Sequence, residues 1–358
     1  MYSHFPLDEL LKWYSDNKRD LPWRDISDPY KIWVSEIMLQ QTRVDTVIPY
    51  YQRFLKELPT VHDLAKADRR QVLKLWEGLG YYSRARNLHD AARFVVKNSK
   101  GKIPEEFDAI IGLKGIGPYT AAAILSIAFQ KPHAVVDGNV IRVLSRFFGI
   151  TNDIRSGATK NDIQRIADEI IPDSAPGDFN QAVMELGATV CIPADPKCEQ
   201  CPLSCECFAF KTLQTDQIPY KSPSKKIPHK EIGVGVILNN QKQVLIALRP
   251  EDSMLGGLWE FPGGKRKENE QITDTILREL SEELGVKADI KHKFMTVKHT
   301  YSHFKITLNA YICTIVSGNP KPVCSQELKW VDMDEIDEYP FPKANKMLIG
   351  KLKTEYSK

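Results

Sequence analysis

Four of the chain's seven cysteines, Cys191, Cys198, Cys201 and Cys207, fall within seventeen residues at the spacing C-x6-C-x2-C-x5-C. Thiols this dense in an intracellular chain mark a metal site more often than a disulfide framework. Iron–sulfur clusters take thiolates from one compact loop, whereas structural zinc sites usually combine two close C-x2-4-C or H-x3-5-H pairs. Only Cys198 and Cys201 form such a pair, which favours iron–sulfur over zinc or a surface loop of unligated thiols. Cys205 lies inside the loop but outside the pattern. Cys313 and Cys324 are far downstream, so no secreted-type framework is formed and a reducing cytoplasm is expected.

At 358 residues, 42% hydrophobic and 27% charged, the chain is long enough for two or three domains. It opens MYSHFPLDEL, without a basic stretch and apolar core, and its apolar runs fall short of the roughly 18 residues a membrane span needs. A soluble intracellular protein without membrane contact follows as an expectation. A formal charge of +3 permits nucleic-acid binding without arguing for it.

Apolar residues recur at helical spacing over 7–14, 29–41, 44–58, 71–75, 86–96, 119–129 and 140–147, and strand-like alternation is scarce before residue 200. Asp28-Pro29 and Gly117-Pro118 are helix-start signals, with proline at the first helical position. Residues 212–230 break the pattern with three prolines and four lysines and read as an extended basic linker. Beyond it the texture turns to strands: GVGVIL, a turn at Asn239-Asn240, VLIAL, and later ITLNAYICTIV, with one strong helix at 273–284.

Leu113 to Thr120, LKGIGPYT, places Gly115 and Gly117 ahead of an alanine-rich helix, where backbone N–H groups can approach a phosphate without reading sequence. Further on, the apolar run Ala134-Val135-Val136 ends at Asp137-Gly138-Asn139 before another helix. Asp137 at that positive helix end is expected to stay ionised with a lowered pKa, or to be a plain helix cap. Glu36 lies in the apolar segment IWVSEIML, where burial would raise its pKa and keep it protonated. A neutral carboxylic acid beside a charged carboxylate suits cleavage of an N-glycosidic bond: the leaving base needs a proton while the sugar gains cationic character.

These residues together resemble the helix-hairpin-helix glycosylase superfamily that includes endonuclease III, and within it the MutY-type adenine DNA glycosylases. The resemblance rests on LPWR at 21–24, VSEIMLQQT at 34–42, GLGYYSRARNL at 78–88, LKGIGPYTA, VVDGNV and the cysteine loop. It implies an all-α core, a six-helix barrel over 22–131 with an iron–sulfur cluster domain from 1–21 and 132–211. A linker over 212–229 and an α+β Nudix-like domain over 230–358 would follow. It implies removal of adenine mispaired with 8-oxoguanine or guanine from double-stranded DNA, by a monomeric, nucleoid-associated enzyme of the cytoplasm. Glu36 matches the general acid and Asp137 the stabiliser of the sugar cation, with Tyr119 and Asn139 lining the site. Bifunctional relatives carry at Tyr119 a lysine that attacks the sugar, and a tyrosine cannot form that imine. The adenine must be flipped out of the duplex. Gln41 and Tyr81 match wedge residues, and Trp23, Arg24, Thr42 and Gln181 match positions about the DNA or the extruded base. Cys191, Cys198, Cys201 and Cys207 match the ligands of a [4Fe–4S] cluster. An endonuclease III-type activity on oxidised pyrimidines is the nearest alternative, but it leaves the C-terminal third unexplained.

Within that third, Tyr301-Ser302-His303 matches the loop with which the family probes 8-oxoguanine. The Nudix signature runs complete through Gly264, Glu270, Arg278, Glu279, Glu282, Glu283 and Gly285, a departure from the family habit of a decayed box. Glu279, Glu282 and Glu283 fall on one helix face opposite Ile276, Leu280 and Leu284, so a Mg2+-dependent hydrolysis of nucleoside diphosphate derivatives is a second expectation.

Overall fold

The computed structural model describes residues 5–223, 227–301 and 304–356. In chain order the helices are α1 (Leu7–Asn17), α2 (Pro29–Leu39), α3 (Val44–Glu57), α4 (Val61–Lys66), α5 (Arg69–Leu75), α6 (Ser83–Ser99), α7 (Phe107–Ile111), α8 (Pro118–Phe129), α9 (Gly138–Phe148), α10 (Gly157–Ile170), α11 (Pro176–Thr189) and α12 (Phe208–Lys211). The strands that follow are β1 (His229–Ile237), β2 (Val244–Leu248), β3 (Trp259–Glu260), β4 (Gly263–Lys265), β5 (Lys287–Thr300), β6 (Lys305–Ser317) and β7 (Glu327–Val331), with α13 (Ile272–Leu284) after β4 and α14 (Lys343–Tyr356) last. Two compact units result: residues 1–66 with 87–224, and residues 67–86 with 225–358. Residues 67–86, expected in the helical barrel, group in the structure with the C-terminal third.

The first unit is helical because its starts are capped and its faces apolar. Asp28 accepts from the N–H groups of Tyr30 (2.9 Å) and Lys31 (3.3 Å), with Pro29 at the first position of α2. Every residue of α2 from Ile32 to Met38 is buried, as is α8 from Thr120 to Ile127, so these two helices are central and their neighbours wrap them. A second packed cluster joins Leu10 and Tyr14 of α1 to Val140, Val143 and Phe147 of α9 and to Phe179, Val183 and Leu186 of α11.

The basic segment after α12, expected as an extended linker, is held along the first unit by hydrogen bonds. Ile218 is buried, its carbonyl accepts from Arg146 Nε (2.8 Å), and the Tyr220 and Pro223 carbonyls accept from Ile154 N (3.1 Å) and Arg155 Nη1 (2.7 Å). Arg146 of α9, together with Ile154 and Arg155 in the connection from α9 to α10, anchors it to the first unit.

In the second unit, one sheet has the order β4-β1-β6-β5, with β1 and β6 parallel and the other pairs antiparallel. The other has the order β3-β2-β7, all antiparallel. As expected, Ile276, Leu280 and Leu284 form the buried side of α13, packed with Ile237, Leu245 and Cys313.

Candidate active site

In the first unit a cavity of about 190 Å3 is lined by Trp23, Arg24, Glu36, Thr42, Tyr119, Asp137, Asn139, Gln181, Met184 and Glu185, with further residues from the same helices. Helices α2, α8, α9 and α11 thus bring together two carboxylates that lie 101 positions apart in sequence, 137 minus 36.

Glu36 is buried, and the loss of water pushes its carboxyl pKa up to about 7; a hydrogen bond with Tyr119 and the nearby Arg24 charge pull it down, while Asp137 pushes it further up. The same burial, with Glu36 and Asp137 alongside, holds the Tyr119 phenol well above its ordinary range, so it remains a hydrogen-bond donor. Met184 Sδ lies 3.5 Å from that hydroxyl.

Asp137 caps α9, accepting from Asn139 N (2.8 Å), Val140 N (2.8 Å) and Asn139 Nδ2 (2.9 Å). The expected lowering of its pKa is not found. Desolvation outweighs the three donors and Arg142, and the net shift is upward. Asp137 is the helix cap that the sequence predicts, but the dry cavity and not the helix end sets the direction of its pKa shift.

Two residues the sequence reading missed hold this geometry. Glu185, side chain fully buried, accepts from Arg19 (2.5 and 3.0 Å) and from Arg24 (2.8 Å), and Arg24 also donates to the Tyr14 hydroxyl. Asn180 accepts from Val135 N (2.9 Å) and donates to Ser126 Oγ and the His133 carbonyl (both 2.8 Å), fixing the chain that leads to Asp137. Neither stands in a recognisable motif, and their partners lie far away in sequence. Gly187 of α11 faces Asn139 so closely that a Cβ there would sit 2.6 Å from Asn139 Cβ, so only glycine allows α9 and α11 this approach.

Trp23 is core, its ring edge-on to Tyr51 at 5.4 Å, while also lining the cavity. Gln41, exposed beyond the end of α2, and Tyr81, before α6, both take left-handed backbone (φ 56° and 49°), the kind of strain that clusters at functional sites. Gly115, in the exposed turn between α7 and α8, also has positive φ (84°), which suits glycine.

α9 also carries the cysteine loop. Arg142 donates to Asn139 Oδ1 (2.9 Å), the Gly187 carbonyl (2.6 Å) and the Cys191 carbonyl (2.6 Å); Arg146 reaches Cys191 Sγ (3.4 Å) and the Ile192 carbonyl (2.7 Å). Burial pushes the Cys201 thiol up to about 12, and the thiols of Cys191, Cys207 and Cys198 add to that rise. All four are free thiols, and Cys205 is exposed. The donor set therefore fits a cluster of soft metal ions, although among the described residues no three His, Cys, Asp or Glu are drawn in to metal-holding geometry.

The same holds for the Nudix signature. Arg278 gathers Glu270 (2.7 Å), Glu279 (2.8 Å) and Glu282 (3.0 Å), whereas Glu283 turns to the Gly263 N–H (3.0 Å) and burial raises it to about 7. The expected common carboxylate face is thus divided between an arginine hub and a buried acid. Tyr301 N donates to the Phe304 carbonyl (2.8 Å), closing the β5–β6 turn; Ser302 and His303, also assigned to lesion recognition, lie outside the described residues.

Among the described residues no helix is long and apolar enough to cross a membrane. Residues 34–172 match the family of HhH-GPD superfamily base excision DNA repair proteins, and residues 233–351 match the NUDIX domain family. The chain is 36% identical to the adenine DNA glycosylase of Homo sapiens over 91% of its own length and 70% of that protein's. It is 35% identical to that of Buchnera aphidicola subsp. Acyrthosiphon pisum (strain APS) over 84% of each. Among solved structures, a thermostable thymine-DNA glycosylase aligns with 57% of the chain and 95% of its own at 32% identity and a TM-score of 0.52. The fold is therefore a helical glycosylase core followed by a Nudix-like domain.

Proposed function

Since the chain belongs to the adenine DNA glycosylase family, we propose that it hydrolyses the N-glycosidic bond of adenine mispaired with 8-oxoguanine or guanine in duplex DNA, without cutting the strand. The observation that carries this is the pair of carboxylates in one small cavity, Glu36 deeply buried and Asp137 held by three donors. Glu36, pushed up to about 7 by burial, keeps a proton available for transfer near neutral pH. As the bond between the base and sugar C1′ breaks, the electron pair leaves with adenine, which takes the Glu36 proton. Asp137, held by three donors on α9, faces the developing sugar cation. Water adds to C1′ and returns a proton to Glu36. Tyr119 supplies a hydroxyl where a lysine would supply an amine, which supports hydrolysis over imine formation.

Cys191, Cys198, Cys201 and Cys207 would hold a [4Fe–4S] cluster that shapes the surrounding loop and takes no part in bond cleavage. Arg142 and Arg146 tie that loop to the helix that carries Asp137, so the loop's integrity bears on the site. The test is a duplex with one adenine opposite 8-oxoguanine: free adenine should be released and the strand should break only after alkali treatment. Release of oxidised pyrimidines in its place would overturn the reading.

A further inference from the structure

The loop between α5 and α6 carries Tyr81 in left-handed backbone, and the side chains around it hold that shape. Trp76 Nε1 and Arg84 Nη2 both donate to the Gly80 carbonyl (3.1 Å each), and the buried Arg84 guanidinium lies over the Tyr81 ring, 5.2 Å from its centroid. On the other side, the Tyr82 hydroxyl accepts from Gly78 N (3.0 Å).

Glu77 begins this loop, and its partners lie far off in sequence. Its carboxylate, only 7% exposed, accepts from Phe341 N (2.9 Å) and Lys346 Nζ (2.7 Å) as well as from the local Lys74 Nζ (2.8 Å). The Tyr82 hydroxyl also reaches the Phe341 carbonyl (3.4 Å), so one loop grips the Phe341 backbone at both its N–H and its C=O. Phe341 is itself core, its ring stacked on Phe261 at 5.9 Å, and Lys346 stands in the first turn of α14. Lys74, three residues before Glu77, would suffice to pair a surface glutamate. Taking the carboxylate out of water costs free energy that only several converging donors offset, so its burial serves the tie to Phe341 and α14.

Residues 67–86 follow α4 in the chain and lead into α6, so a loop held this way is the covalent route from the C-terminal domain into the helical core. We propose that Glu77 is a positioning residue that fixes Tyr81 by tying its loop to the C-terminal domain, and that preference for the base opposite the adenine depends on this carboxylate. This rests on the adenine-glycosylase reading, in which Tyr81 is expected to wedge into the duplex and Tyr301-Ser302-His303 to probe that base.

The experiment measures single-turnover adenine release by the full-length protein from duplexes with 8-oxoguanine or guanine opposite, and amide hydrogen exchange of the DNA-free protein. Glu77→Ala should slow release opposite 8-oxoguanine about tenfold or more and opposite guanine by less than about threefold, each relative to the parent. Exchange at 78–82 and at 340–346 should speed up together, about tenfold or more. Lys346 is exposed, so Lys346→Met removes one partner without disturbing the core and should move both readouts in the same direction by roughly threefold. Equal slowing of the two substrates by Glu77→Ala, exchange unchanged at either segment, or a Lys346→Met variant indistinguishable from the parent would each overturn the proposal. A parent that releases no adenine overturns the glycosylase reading, whereas the exchange arm tests the tie without any substrate.

Discussion

Replacing Glu36 with glutamine keeps the shape of the cavity and removes its proton. Loss of a positioned general acid typically costs about 10²- to 10⁴-fold in rate, and a fall in single-turnover adenine release of that size is expected. The pH dependence is sharper. The parent should lose rate as pH rises through about 7, when Glu36 ionises, whereas the variant's residual rate should show no such limb. The substitution should affect stability in the opposite sense to rate, raising it at alkaline pH. A carboxyl raised from 4.5 to about 7 in the folded chain stabilises it fully below the unfolded pKa, and that contribution is lost as pH rises through 7. The difference is about 3 kcal/mol, on the order of 1.4 kcal/mol for each unit. Glu36→Gln carries no charge to desolvate, so at pH 8 it should melt higher than the parent, with the gap closing below pH 5. A variant of normal rate, or one that keeps the alkaline limb, would refute the assignment of Glu36 as the acid.

Three further outcomes are expected. Borohydride should trap no covalent complex between the parent and its DNA, whereas a trapped complex would show an amine acting in place of water. Cys198→Ser should lose the brown colour of the cluster on purification and Cys205→Ser should keep it, checked by visible absorbance and iron content. Gly187→Ala should push α9 and α11 apart and cost roughly 1–3 kcal/mol in denaturant unfolding; because the added methyl meets Asn139, which holds Asp137, the adenine-release rate should fall as well.

The helices that build the site were legible because their signals are local: a cap and proline at Asp28-Pro29, glycine and proline ahead of α8, apolar spacing in α2. Glu36 was legible for the same reason, an acid in a segment with no exposed face. What escaped depends on distant partners. Glu185 sits in an unremarkable stretch of α11, and its meaning comes from Arg19 and Arg24, 166 and 161 residues away. The direction of the Asp137 shift is set by how dry the cavity is, which no cap motif records. β5 went unnoticed because it is long, charged and half-exposed, and register shifts at Lys287, Ile290 and Lys293 break the two-residue period that marks a strand. The residues after α12 look like a linker because the distant donors that hold their carbonyls, Arg146, Ile154 and Arg155, leave no trace in the local composition.

The central claim is that this cavity releases adenine by hydrolysis and that the opposite base decides when. Single-turnover excision from matched duplexes, with adenine opposite 8-oxoguanine, guanine or thymine, tests it most directly. Fast release opposite 8-oxoguanine, slower or equal release opposite guanine, and none opposite thymine is the expected result; release at equal rates from all three, or from none, would contradict it.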